Sequence, residues 1–450
     1  MSRKYEIDML EGNYFRKLAI FAFPLMLSSV LQLLFNAADI AVVGKFAGDN
    51  SLAAVSSTSS LVNLCVNLFI GLSIGTNIIT ARMLGEGNDE DISKVVHTSI
   101  ALAVYFGIFL SVFGFLFAKG MLLLMDTPSN ILDLSALYLK IYFLGMPANL
   151  VYNFGAALLR SKGDTRRPLY YLTCAGIANV ILNIVFVVFF KMDVVGVALA
   201  TVASQIISAY LVINCLMNET DSLVFHPGLF GIDFKMMLEI LRVGVPCGVQ
   251  GTVFAISNVV IQSTVNSFGS TIMAGNGAAS NLEGFIYTAT NAFGQAGQTF
   301  IGQNYGAKKL DNIYRIMGVT IAYVLAVGLF MSYGMYYFGP FFLGIYSNSA
   351  EVIEAGMIRM ADVLRYYYID SLMCCLSSIL RGLGYVTLPT VNSLLMVCGV
   401  RLLWVATFFK LNPVIHNLYI IYPISWILVS AVHLLTIVFV LPKVKRHCLK

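Results

Sequence analysis

Twelve apolar runs, each long enough to cross a bilayer, take up most of this chain. They lie near 17–43, 52–81, 95–118, 131–158, 169–190, 195–217, 238–267, 271–300, 314–338, 352–380, 388–409 and 419–441. A spanning helix needs about 20 mostly apolar residues. Within a bilayer, backbone N–H and C=O groups must be satisfied inside helices or a closed barrel. No long stretch alternates apolar and polar residues as barrel strands do, so the expected fold is an all-α polytopic membrane protein. The composition agrees, with 58% hydrophobic and 11% charged residues over 450 positions, against about 25% charged in a soluble domain. A soluble fold has no interior that could hold so much apolar surface. Ser2–Lys17 is mixed in charge and the run behind it is too long for a signal-peptide core, so no cleaved leader is expected. Pro24, Pro147 and Pro246 fall inside runs, where proline removes a backbone bond and bends a helix.

Lysine and arginine orient the spans. With the N-terminus inside, the inner segments hold 20 of them and the outer loops only Lys45, Lys119, Lys191 and Lys410. The expected location is therefore the cell membrane, multi-pass, with both termini cytoplasmic.

The chain also repeats itself. Leu159-Arg160-x-x-Gly163-x-x-x-x-Pro168 recurs as Leu380-Arg381-x-x-Gly384-x-x-x-x-Pro389, 221 residues later. Gly85 and Ile92 pair with Gly306 and Ile313 at the same offset, and Pro24 and Asn36 pair with Pro246 and Asn258 at 222. The reading is an N-terminal six-helix lobe over 1–217, a cytoplasmic linker over 218–236, and a C-terminal six-helix lobe over 237–450. Six spans per half give both halves the same orientation. Two pseudo-symmetric six-helix bundles around a central cavity, twelve transmembrane helices in all, are the usual build of an alternating-access transporter.

An acid inside a span is expensive, about 2.5–3.5 kcal/mol at a helix centre, and marks function by default. Asp39 is such an acid. Ser29, Gln32, Asn36 and Asp39 step by three, four and three residues and share one helical face. In the second half the counterparts of Asp39 and Gln32 are Ile261 and Phe254, so an ion site is expected in the first half. Glu283 and Asp370 have no partner visible in the sequence and are substrate-binding candidates along with Gln32, whereas Asp362 and Arg365 are expected to neutralise each other. Arg401 has no role assigned. The Arg160–Arg167 loop reads as a topology and headgroup anchor. Scattered histidines and eight cysteines without ligand spacing predict no metal, no cofactor and no disulfide. No His-Glu-x-x-His or phosphate loop is present, so no enzyme is expected, nor a nucleic-acid partner, and a monomer is the expected state.

The first-span pattern Pro24…Asn36-x-x-Asp39-x-x-x-Val43-Gly44, the ending Gly302-Gln303-Asn304-Tyr305-Gly306-Ala307 and the duplicated Arg-x-x-Gly…Pro turns resemble multidrug and toxic compound extrusion (MATE) transporters, in the DinF-like branch. The resemblance covers about Leu18 to Leu441. It implies secondary active efflux of amphipathic organic cations, coupled to protons or sodium. It also implies that Asp39 is the coupling residue, in a cluster matched here by Asn179, Asn183 and Thr201. Position 183 is Asn where many relatives have Asp, which favours a proton over sodium as the coupling ion. In the implied cycle Asp39 takes a proton from outside and loses its bonds to Asn36 or Asn179. The first helix then repacks near Pro24 and a cationic cargo leaves. A lipid-linked oligosaccharide or lipid flippase of related architecture is the alternative, and it predicts a more cationic cavity.

Overall fold

The computed structural model of this chain describes residues 5–125 and 127–449, and every regular element among them is helical. In the first half, α1 covers Tyr14–Phe46, α2 Asp49–Glu86, α3 Asp89–Leu124, α4 Ser129–Leu144, α5 Met146–Ser161, α6 Arg166–Asn183 and α7 Asp193–Met217. In the second, α8 covers Phe234–Asn266, α9 Ser270–Gly306, α10 Leu310–Tyr337, α11 Gly339–Gly344, α12 Ala350–Asp362, α13 Tyr367–Gly382 and α14 Thr387–Ser393. Then come α15 over Val400–Ala406, α16 over Phe408–Leu411, α17 over Ile415–Tyr419 and α18 over Ile421–Cys448. One π-helical segment follows α6 at Ile184–Phe189 and another follows α14 at Leu394–Gly399.

Among the described residues, nine helical stretches are long and apolar enough to cross a membrane, and α4–α5, bent by 46°, makes a tenth. The remaining two expected runs, 271–300 and 352–380, are helical but outside this set. The first is α9, whose Gly, Asn and Gln residues dilute its apolar content, and the second breaks at a 3-10 turn over Leu364–Tyr366 between α12 and α13.

The duplication read from sequence extends to backbone detail. Gly48 (φ 85°) and Gly269 (φ 97°) precede α2 and α9, and Gly163 (φ 105°) and Gly384 (φ 86°) occupy the matching turns. Gly87 (φ 69°) recurs as Lys308 (φ 56°), so a lysine is held in the left-handed region that suits glycine.

Two compact units emerge, one of residues 1–8 and 27–245, the other of 9–26 and 246–450. Membership changes inside α1, just beyond Pro24, and inside α8, at Pro246. A proline breaks the backbone ladder at these points.

In the first unit the N-terminal residues are seated on the turn after α5. A Cβ on Gly163 would lie 2.4 Å from the Ile7 carbonyl oxygen, so only glycine admits that approach. Beside it Lys162 pairs with Glu6 at 2.6 Å and Glu219 at 3.0 Å, and also with Asp221. Arg167 joins Asp164 and Glu219. The loop's Lys162 and Arg167 are thus taken up by carboxylates of their own unit, which leaves Arg160 and Arg166 for the expected headgroup contact. Burial alone pushes the Lys162 ammonium down, yet the bonds to Asp221, Glu6 and Glu219 outweigh it and hold the group above the usual lysine range. Glu6, Glu219 and Asp221 converge closely enough to suggest a cation site, and the Lys162 ammonium is the cation among them. In the second unit, Ile261, Val265, Met373, Tyr419, Tyr422 and Trp426 form a buried core.

Candidate functional site

Asp39 lies toward the end of α1, and it meets α6 rather than its own helix. Asn183 Nδ2 donates to Asp39 Oδ1 at 2.5 Å and to Asn179 Oδ1 at 3.3 Å. Both asparagines are buried. They lie four residues apart on α6, which stacks them on one face and lets one amide bridge the other to the carboxylate. The acid's partner is therefore Asn183, a correction to the expected bonds with Asn36 or Asn179. The carbonyl Oδ1 of Asn183 is sealed and has no hydrogen-bond partner among the described residues.

The other candidates fall into place less tightly. Asn36 and Gln32 lie on exposed positions of α1. The Thr201 hydroxyl donates to Val197 O within α7 at 3.0 Å, not to the cluster. Two residues that the sequence did not single out complete the surroundings: Tyr138, buried, and Tyr142, partly buried, lie on α4 within electrostatic range of Asp39. Their i, i+4 spacing was the available signal.

Helix approach sets this geometry. A Cβ on Gly176 would lie 1.9–2.4 Å from the Phe35 ring, so α1 and α6 touch through a glycine three residues before Asn179. Gly176→Ala is expected to push the two helices apart, costing about 1–3 kcal/mol as an overpacked contact, and to weaken the Asp39–Asn183 bond. Phe35→Ala in the same chain should restore both. Melting temperature measured on the single and double variants checks this. A single variant that matches wild type would show that the contact does not set the site.

In the second unit, Glu283 is not a free acid. Arg359 grips it in a fork, Nε to Oε1 at 2.8 Å and Nη2 to Oε2 at 2.7 Å, and its Nη1 donates to Asn276 Oδ1 at 2.7 Å. All three residues are buried. The expected cation-attracting carboxylate is thereby neutralised by an arginine of α12, 76 residues away, a partner no local spacing shows. Asp362 pairs with His416 at 2.6 Å and Arg365 with the Tyr366 hydroxyl at 2.8 Å, so the expected Asp362–Arg365 pair does not form. Asp370 is buried; Arg401 lies within its electrostatic range but does not pair with it among the described residues.

The MatE family profile matches residues 24–185 and 246–405, one match in each half. The chain is 28% identical over 396 residues to a Bacillus subtilis protein named "Probable multidrug resistance protein YoeA", covering 86% of each. It is 25% identical over 377 residues to that organism's "Probable multidrug resistance protein YpnP", covering 84% of each. A solved structure described as "Crystal structure of MATE in the bent conformation" superposes with a TM-score of 0.91 over 98% of both chains, at 18% identity. At that identity the likeness speaks for the fold.

Proposed function

This chain belongs to the MatE family of membrane transporters, and from that premise we propose that it exports amphipathic organic cations in exchange for protons, with Asp39 as the coupling acid. The names of two relatives, each called a probable multidrug resistance protein, support the cargo class. The observation that carries the coupling is the Asp39–Asn183–Asn179 chain of contacts, a single carboxylate with two neutral amides. One acid is enough for a proton. Protonation turns a carboxylate from acceptor into donor, and the unpartnered Asn183 Oδ1 is the acceptor at hand once that amide turns. The change of bonding at the α1–α6 contact lets α1 repack and the cargo leave in the same step. We place the protein in the cell membrane with both termini cytoplasmic, on the lysine and arginine distribution.

The test is export of rhodamine 6G from right-side-out vesicles holding the full-length protein. External acid should accelerate dye release, and release should acidify the lumen, in sodium or choline buffer alike. A rate that follows the sodium gradient, with lumen pH unmoved, would overturn proton coupling.

A further inference from the structure

We propose that the C-terminal half carries an anion-accepting subsite centred on Arg401, the register counterpart of the Asp39 cluster with its polarity inverted. The inference rests on the export reading and extends its cargo to zwitterionic amphiphiles.

Register comes first. Ahead of the π-helical segments the halves pair at an offset of 221, as Pro168 does with Pro389. A π-bulge holds one residue more than the α-helix it interrupts. In the second half that segment is 394–399, just before Arg401; in the first it is 184–189, just after Asn183. Between the two insertions the offset becomes 222, so Arg401 takes the place of Asn179. Beyond both it returns to 221, and Tyr422 and Ser425 pair with Thr201 and Ser204. On α8, Asn258 and Ile261 pair with Asn36 and Asp39. The place of the acid is thus taken by an isoleucine, and the place of a neutral amide by a guanidinium.

Contacts tie the same elements together. Arg401 Nη1 donates to Asn258 Oδ1 at 3.3 Å and Nε to Ser425 Oγ at 3.1 Å. The guanidinium lies 4.4 Å from the Tyr422 ring centroid. Every one of these partners is neutral, although Arg401 is only 5% exposed. Arg359 also faces Tyr422, at 5.1 Å, but it is closed off by Glu283. The acid in electrostatic range of Arg401 is Asp370, and no ion pair joins them among the described residues. Arg401 Nη2 makes no hydrogen bond to a described residue and is not among the sealed atoms. A buried cation without a contacting anion is costly, and a guanidinium edge left open suits a carboxylate, sulfonate or phosphate oxygen.

The test uses two dyes that differ only at one group: rhodamine 19, with a free carboxylate, and rhodamine 6G, its ethyl ester. Binding of each to the purified full-length protein is measured by fluorescence anisotropy. Arg401→Gln should weaken rhodamine 19 by tenfold or more and leave rhodamine 6G within twofold. Arg401→Lys, which keeps the charge and loses the fork, should weaken rhodamine 19 by a smaller factor and serves if Arg401→Gln does not fold. Equal changes for both dyes, or no change for either, overturn the subsite. Wild-type protein that binds only rhodamine 6G overturns the subsite alone, and wild-type protein that binds neither overturns the export reading with it.

Discussion

Asp39→Asn is expected to abolish proton-driven export while leaving the protein folded. Asparagine keeps the size of the side chain and can still accept from Asn183 Nδ2, as the carboxylate does. It cannot change charge. Each pH unit across the membrane is worth 1.36 kcal/mol per proton, tenfold in the cargo ratio sustained at one-for-one exchange. A variant with no titrating group at position 39 forfeits that factor entirely. With a gradient of about two pH units, the steady-state ratio should therefore fall about a hundredfold, to the value set by passive exchange. Downhill counterflow of preloaded dye should persist, because it needs no proton. Dye accumulation under an imposed pH gradient, measured beside counterflow, separates the two. Gradient-driven accumulation at the wild-type level would remove Asp39 from the coupling role. Loss of counterflow as well would place the residue in cargo binding or folding instead.

The sequence made this residue visible because a carboxylate inside an apolar run stands out against its neighbours, and its stripe with Gln32 and Asn36 needs only the helical period. Its partner was harder to see. Asn179 and Asn183 were both named, but which of them holds the acid depends on the approach of α1 and α6 at Phe35 and Gly176, a tertiary fact with no local signature. The fold was legible for the same reason as the acid: span length and a repeat at a fixed offset are one-dimensional patterns. The places where α1 and α8 change units were marked only by Pro24 and Pro246, which announce a bend but not where the bent half will pack. Charge pairing failed as a guide wherever the partner came from another helix. Asp362 and Arg365, three residues apart, looked like a pair, yet each is turned to a different neighbour, His416 and Tyr366. Conversely, Glu283 looked solitary because Arg359 is distant in sequence.

That hidden pair carries the largest stability effect expected in the protein. Glu283→Gln should cost about 3–5 kcal/mol, the usual penalty for removing one partner of a buried ion pair. The charge left behind is Arg359, 4% exposed, with Asn276 and the faces of Tyr419 and Tyr422 as its remaining neighbours. None of these supplies a countercharge, and Asn276 Oδ1 already accepts from the Tyr419 hydroxyl at 3.0 Å. Arg359→Met alone should be damaging too, since it strands the carboxylate. The double variant Glu283→Gln, Arg359→Met should recover much of the loss, because replacing both members of a buried pair by uncharged groups of similar volume is often neutral or stabilising. Thermal unfolding in detergent, followed as the monodisperse fraction after heating, ranks the four proteins. If the double variant is as unstable as the singles, the loss comes from the pair itself and not from a stranded charge, and the pair is what holds α9 to α12. If it is stable yet no longer binds rhodamine 6G, Glu283 serves the cargo as well as the fold, since a purely structural pair can be exchanged for apolar bulk without touching affinity.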